Sequence, residues 1–317
     1  MRKVTLGNVA RILRERDNIL ILTHQCPDGD TLGSAYALCA ALQSMGKQAR
    51  VVCSDEIPAK YKFLQKGVKN QAFAPGLILA VDVADAKLLG KNLSQYADRV
   101  ELAVDHHKSN TFFAENTYVD TKASAVCEII YELLMMLEVG FTTEIATCIY
   151  TGITTDTGCF MYSNVTQKTH RIAALMMGLN VKAAEINRIM FGTKSRARME
   201  IEREALDNLA YHFDGRCALI TITKEMLSRT GVDESDIEGL TSLPRQIEGV
   251  KVALTLRELG DGQWKYSVRT MPEVDAAALC GNFGGGGHKE AAGCHYTGTM
   301  DEAKNAMLAC VGEVLGV

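Results

Sequence analysis

The sequence predicts an α/β fold: a doubly wound, mostly parallel sheet with a helical second half, plus a smaller α+β C-terminal domain across a cleft. Three observations predict it. Short apolar runs at 19–22, 50–53, 77–81 and 100–104 recur through the first 105 residues, with helical stretches between some of them, as buried parallel strands do. After Asp105 the pattern turns helical, at 123–137, 144–150 and 167–190. Beyond Gly215 the segments CALITIT, VKVALTLREL and QWKYSVRT read as strands, the last two joined by a Gly260-Asp261-Gly262 turn, with a Gly-rich loop and helices after them.

Taken in order, residues 8–16 (NVARILRER) carry apolar positions at helical spacing, and Asp17-Asn18 break that pattern before the first strand at 19–22. The polar loop THQCPDGDT leads into a helix of small residues at 32–45, completing the first strand, loop and helix. The stretch TGITTDTGCF reads as a loop after the helix at 144–150. Residues 194–209 mix charges with a sparse apolar stripe, as a solvated connecting helix does. The expected domains are 1–190, a linker helix at 191–214, and 215–317.

The bulk numbers narrow the function classes. With 317 residues, 47% apolar and 23% charged, the chain has material for one large or two medium globular domains and lacks the signature of disorder, collagen or coiled coil. Its 34 Lys+Arg against 38 Asp+Glu give a net charge of −4, so no overall field draws in long duplex nucleic acid. Ten cysteines without a C-x-x-C pair read as reduced thiols, mostly buried. The N-terminus lacks an apolar segment after its early positive charges, and no uncharged run is long enough to span a bilayer, so a soluble, cytoplasmic protein with no membrane partner is expected.

In open α/β sheets ligands bind beyond the carboxyl ends of the strands. Here the first strand runs into His24, Asp28 and Asp30, the third into Asp82, and the fourth into Asp105-His106-His107, while Asp156 follows a helix. One such Asp is an ordinary turn former. Together they crowd like charges into one crevice, which requires cations. Asp28, Asp30, Asp82 and Asp156 carry a charge that two divalent ions would neutralise, and His24 and His106 can add nitrogen ligands. A mixed Asp/His shell without cysteine points to two Mn²⁺, with Mg²⁺ or Co²⁺ as alternatives, and to two-metal hydrolysis of a phosphoester.

His24-x-x-Pro-Asp28-x-Asp30, Leu-Ala-Val-Asp82, Val-Asp105-His106-His107 and Gly152-Ile-x-x-Asp156-Thr-Gly158 resemble, in order, the four motifs of the DHH phosphoesterase superfamily. The resemblance implies that His24, Asp28 and Asp82 hold one metal and that Asp30, Asp82, His106 and Asp156 hold the other, with Asp82 bridging. It also implies that His107 stabilises charge or donates a proton beside the phosphate, and that Asp105 orients the histidines. The later segment Gly281-Asn-Phe-Gly284-Gly-Gly-Gly287-His288-Lys289 resembles the substrate-recognition motif of the C-terminal domain associated with these enzymes. Gly285, Gly286, Gly287 and His288 are its candidate substrate contacts, read as a phosphate seat at a helix N-terminus.

Arg257 and Arg269 lie on neighbouring predicted strands, where guanidinium groups can hold a phosphate bidentately. In length and layout the chain most resembles the bacterial nanoRNases. This implies hydrolysis of short single-stranded oligoribonucleotides to mononucleotides and of 3′-phosphoadenosine-5′-phosphate (pAp) to AMP, with a homodimer plausible. A second reading within the superfamily makes linear or cyclic dinucleotides (pApA, cyclic di-AMP) the substrate. A third, of another class, is a nucleotide receptor without catalysis.

Overall fold

The computed structural model describes residues 2–232 and 237–317. It divides into two compact units, Met1–Thr193 and Lys194–Val317.

In the first unit six strands, β1 (Arg2–Lys3), β2 (Ile19–Leu22), β3 (Ala49–Val52), β4 (Leu77–Val81), β5 (Leu102–Asp105) and β6 (Asn116–Val119), form one sheet. Its order is β1-β6-β5-β4-β2-β3, and every pairing is parallel. The chain leaves β2 for β3 on one side and returns as β4 on the other, which opens a crevice at the carboxyl ends of these strands. The unbroken apolar run of β2 has a direct cause. Ile19 and Ile21 face one core with the helices, and Leu20 and Leu22 face a second core with Ile78, Leu89 and Leu93.

The first core is roofed by the helices Gly29–Ser44, Val126–Met136 and Thr143–Asp156. Two of these approach closely because their contact is made of glycine. A Cβ on Gly29 would stand 2.3 Å from Thr155 Oγ1, and one on Gly33 would stand 2.5 Å from the Cys148 carbonyl. That closeness sets the start of one helix beside the end of the other.

The structure departs from the sequence reading at several elements. Strands β1 and β6 were not expected, and the links before β4 and β5 contain 3₁₀ turns (Ala59–Gly67, Ala86–Leu89, Lys91–Arg99). Residues 151–156, expected in a loop, complete the helix Thr143–Asp156. Its Thr151, Thr154 and Thr155 hydroxyls bond back to carbonyls three or four residues earlier, so these side chains are satisfied within the helix.

In the second unit β7 (Ala210–His212), β8 (Cys217–Ile222), β9 (Val252–Gly260), β10 (Gln263–Thr270), β11 (Gly286–His288) and β12 (Ala291–Thr297) form a mixed sheet ordered β11-β12-β10-β9-β8-β7. Only β8 and β9 pair in parallel. Leu254, Leu256, Trp264, Tyr266 and Val268 on one face pack with the helices Ala276–Gly281 and Met300–Leu315. Trp264 is buried and donates to the Gly298 carbonyl at 3.1 Å, so it serves packing. The helix Arg196–Asp207, in the segment read as a linker, packs Ile201 with Ile222 and Met226. Among the described residues no helix is long and apolar enough to cross a membrane, and the ten cysteines are unbridged.

Candidate functional site

Three adjacent strands deliver the first group. His24 follows β2, Asp82 follows β4, and Asp105 ends β5 with His106 and His107 after it. Asp82 sits at the centre, 3% exposed, with φ of 57° in the left-handed region that few side chains adopt. Its Oδ2 lies 3.7 Å from His24 Nε2 and its Oδ1 lies 3.7 Å from His106 Nε2. His24 Nε2 is also 3.8 Å from Asp28 Oδ1, and His106 Nε2 is 3.5 Å from Asp156 Oδ2. The donor atoms fall into sets spaced as metal ligands are: His24, Asp28 and Asp82; Asp30, His106 and Asp156; and Asp82, His106 and His107.

Each carboxylate is fixed by local structure. Asp28 caps the helix Gly29–Ser44, accepting the Asp30 and Thr31 amides at 3.0 Å each. Asp30 caps a different helix: Val126–Met136 begins at Ala125 with no cap of its own, and Asp30 accepts the Val126 amide at 2.5 Å and the Cys127 amide at 2.9 Å. The neighbouring Ser124 hydroxyl donates to the Asn164 carbonyl at 2.6 Å. Asp156 ends its helix, where the dipole adds negative potential to a carboxylate.

The histidines are oriented by their second nitrogen. His24 Nδ1 donates to the Gln25 carbonyl at 2.7 Å and His106 Nδ1 to that of Ala123 at 3.0 Å, which leaves each Nε2 lone pair for a ligand. His107 Nδ1 lies 2.8 Å from Asp105 Oδ1 and 3.6 Å from Asp82 Oδ1. Asp105 is fully buried and also accepts the His106 amide at 2.8 Å and Asn110 Nδ2 at 2.6 Å. Asn110 belongs to this group and was missed in the sequence; its position five residues after Asp105 is its only signal.

The electrostatics describe a site short of positive charge. Burial first, then the charges of Asp30, Asp28, Asp156 and Asp105, push the Asp82 carboxyl well above the usual range. Burial and the Asp30 charge push Asp156 up to about 8, and burial also raises Asp30 despite His106 and the two amides. Burial opposes ionisation at Asp28 and Asp105 too. There hydrogen bonds, led by those of His24 and His107, outweigh it and hold both carboxyls low. Burial disfavours the charged rings of His24 and His106, yet the surrounding carboxylates raise both.

The residues fit divalent ions. Asp82 Oδ1 is buried and accepts no hydrogen bond from protein, and such an atom is costly unless a cation meets it. His24, Asp28, Asp30, Asp82, His106 and Asp156 supply carboxylate oxygens and imidazole nitrogens with no thiolate, a donor set for divalent ions.

The second unit holds a pocket of about 370 Å³ on the sheet face opposite the helices Ala276–Gly281 and Met300–Leu315. Arg257, Arg269, Gly286, Gly287 and His288 line it. Gly285 does not: a Cβ there would stand 2.3 Å from the Gly293 carbonyl, so this glycine serves close packing. The expected helix N-terminus is also absent, because Gly286–His288 is strand β11 and pairs with β12. Thr255, Lys265 and Ser267, missed in the sequence, share the pocket. The alternation Lys265, Ser267, Arg269 along β10 was the available signal.

The chain matches the DHH family N-terminal domain over residues 18–153 and the DHHA1 domain over residues 218–316. It is 34% identical to the bifunctional oligoribonuclease and PAP phosphatase NrnA of Thermus thermophilus, over 97% of this chain and 93% of that one. A solved exopolyphosphatase-related protein from Bacteroides fragilis is 26% identical with a TM-score of 0.86, covering 97% of this chain and 95% of that one. RecJ in complex with Mn²⁺ from Thermus thermophilus has a TM-score of 0.56 at 15% identity, over 98% of this chain and 55% of that one, a likeness of fold.

Proposed function

The chain belongs to the DHH family of phosphoesterases, and from that premise we propose that it hydrolyses short oligoribonucleotides to mononucleotides and pAp to AMP. The observation that carries this is Asp82, which offers one oxygen toward His24 and the other toward His106. A carboxylate placed in this way would be available to two neighbouring ions. The NrnA relative bears the substrate names in its own, and it aligns over nearly the whole chain.

His24, Asp28 and Asp82 would hold one ion, and Asp30, Asp82, His106 and Asp156 the other; Mn²⁺ suits this donor set. When bound, such ions acidify a water and neutralise charge on the phosphoryl group. The chain's residues do the rest. Asp105 keeps the His107 proton on Nδ1, so Nε2 is the atom left to exchange a proton with the leaving group. Arg257, Arg269 and His288, with the glycine backbone of β11, would hold phosphates that are not being cut. In this reading the first unit is the metal-binding catalytic part and the second the substrate-binding part.

Product analysis on short end-labelled RNA and on pAp, with Mn²⁺ and with EDTA, tests the proposal. Mononucleotides and AMP that form only with metal support it. Preference for a long strand, or tight pAp binding without turnover at saturating Mn²⁺, would overturn it.

A further inference from the structure

The register of the second sheet arranges its polar face in rows. Arg257 on β9 lies opposite Lys265 on β10, which lies opposite His295 on β12. Two residues along, Thr255, Ser267, Gly293 and Gly286 form a second row. Two further along, Ala253, Arg269, Ala291 and His288 form a third. Directly opposed residues present their side chains on the same face. The face therefore reads basic, neutral, basic, and the outer rows are four residues apart, about 13 Å along the strands.

The middle row is a built feature. Thr255 is 2% exposed and lines the pocket, and its Oγ1 is buried with no hydrogen-bond partner. A buried hydroxyl left this way can pair with an ordered water or with a polar group of a ligand in the pocket. Glycines at the other end of the row remove side chains that would fill the space.

We propose that the two basic rows are separate phosphate subsites bracketing one nucleoside, whose sugar or base meets the Thr255 and Ser267 hydroxyls. Resting on the function proposed above, this adds a length reading. Apart from the phosphate being cut, pAp has one phosphate left for this face, and a 5′-phosphorylated trinucleotide has two. The Arg269/His288 row, with the β11 glycines, serves both substrates. The Arg257/Lys265 row serves the longer one, and Lys265 is a specificity residue for it.

Lys265 is exposed, so its replacement leaves the core intact. The test compares Lys265→Met and Lys265→Arg with the unsubstituted full chain, using 5′-phosphorylated triadenylate and pAp with Mn²⁺. Lys265→Met is expected to raise KM for triadenylate about tenfold, the worth of one charge-assisted hydrogen bond. The rise for pAp should be at least about fivefold smaller, and Lys265→Arg should restore most of the difference. Arg269→Met should weaken both substrates alike. Equal effects of Lys265→Met on the two substrates, or no effect on either, would overturn the subsite. Competition between the same ligands in EDTA, read by anisotropy of labelled triadenylate, separates the two proposals. A selective loss of triadenylate binding there, in a chain that turns over neither substrate, would sustain the subsite and sink the proposed activity.

Discussion

Asp82 faces His24 with one carboxylate oxygen and His106 with the other, at 3.7 Å in both cases. Replacing it with Asn keeps the shape and removes the shared charge. Asp82→Asn is therefore expected to lower Mn²⁺ binding from about two ions per chain to one or none, with phosphoesterase turnover falling to background. Calorimetric titration with Mn²⁺ alongside turnover checks this. Two ions bound with undiminished turnover would remove Asp82 from the centre of the mechanism.

The same carboxylates predict how stability depends on pH. Asp82 and Asp30 are raised, and Asp156 is raised from 3.8 to about 8, burial being the largest cause in each. A carboxyl whose pKa is higher folded than unfolded binds more protons in the folded state, so stability falls as pH rises from the unfolded value through the folded one. In EDTA the melting temperature should drop between about pH 4 and pH 8. Mn²⁺ should restore it most at the alkaline end, and Asp82→Asn should flatten the slope in EDTA. Thermal melts across that range decide it, and a melting temperature in EDTA that climbs toward pH 8 would contradict the assignment.

Gly152 predicts a packing effect on the site. A Cβ there would stand 2.2 Å from Cys127 Sγ and 2.7 Å from Asp30 Oδ1, both buried. Gly152→Ala must push Asp30 off the amides of Val126 and Cys127 or force the two helices apart. Overpacking of this kind costs about 1–3 kcal/mol. Chemical denaturation should show that loss, and Mn²⁺ titration should show weaker binding at the ion held by Asp30, His106 and Asp156. Gly7→Ala serves as the control, since the nearest atom to a Cβ there is Thr5 Oγ1 at 3.8 Å.

The candidate metal-ligand positions were legible because parallel strands buried on both faces are apolar runs, and an Asp or His where such a run stops has a cause other than burial. Strands β1 and β6 had no such mark. Arg2-Lys3 is two exposed basic residues and Asn116–Val119 is largely polar, so only their pairing makes them strands. The glycine run misled for a related reason. Gly286–His288 extends against Ala291–Gly293, and a Cβ on Gly287 would meet the Ala291 carbonyl and the Ala292 Cα at 2.6 Å each. The run is thus shaped by a neighbouring strand. Thr255 and Lys265 gained significance only when the register placed them beside the arginines.

Asp105 and Asn110 make the last prediction, which separates orienting a catalytic group from binding substrate or metal. Asp105 accepts from His107, Asn110 and the His106 amide, and these bonds outweigh burial to keep it ionised. Asp105→Asn replaces one acceptor oxygen with an NH₂ group that must face either Asn110 or a ring nitrogen of His107. If it faces His107, the ring is driven to the other tautomer and loses the carboxylate that balances charge on it as a proton moves. The expected outcome is a kcat reduced about 10- to 100-fold, the usual penalty for losing such an orienting partner. KM for pAp should stay within about threefold and both ions should remain bound, since neither the ligands nor the pocket loses a residue. His107→Ala should lose a comparable amount and recover part of it with added imidazole, while Asp105→Asn should not, because its own ring still occupies the space. A rise in KM without a fall in kcat would instead place Asp105 and His107 in substrate binding.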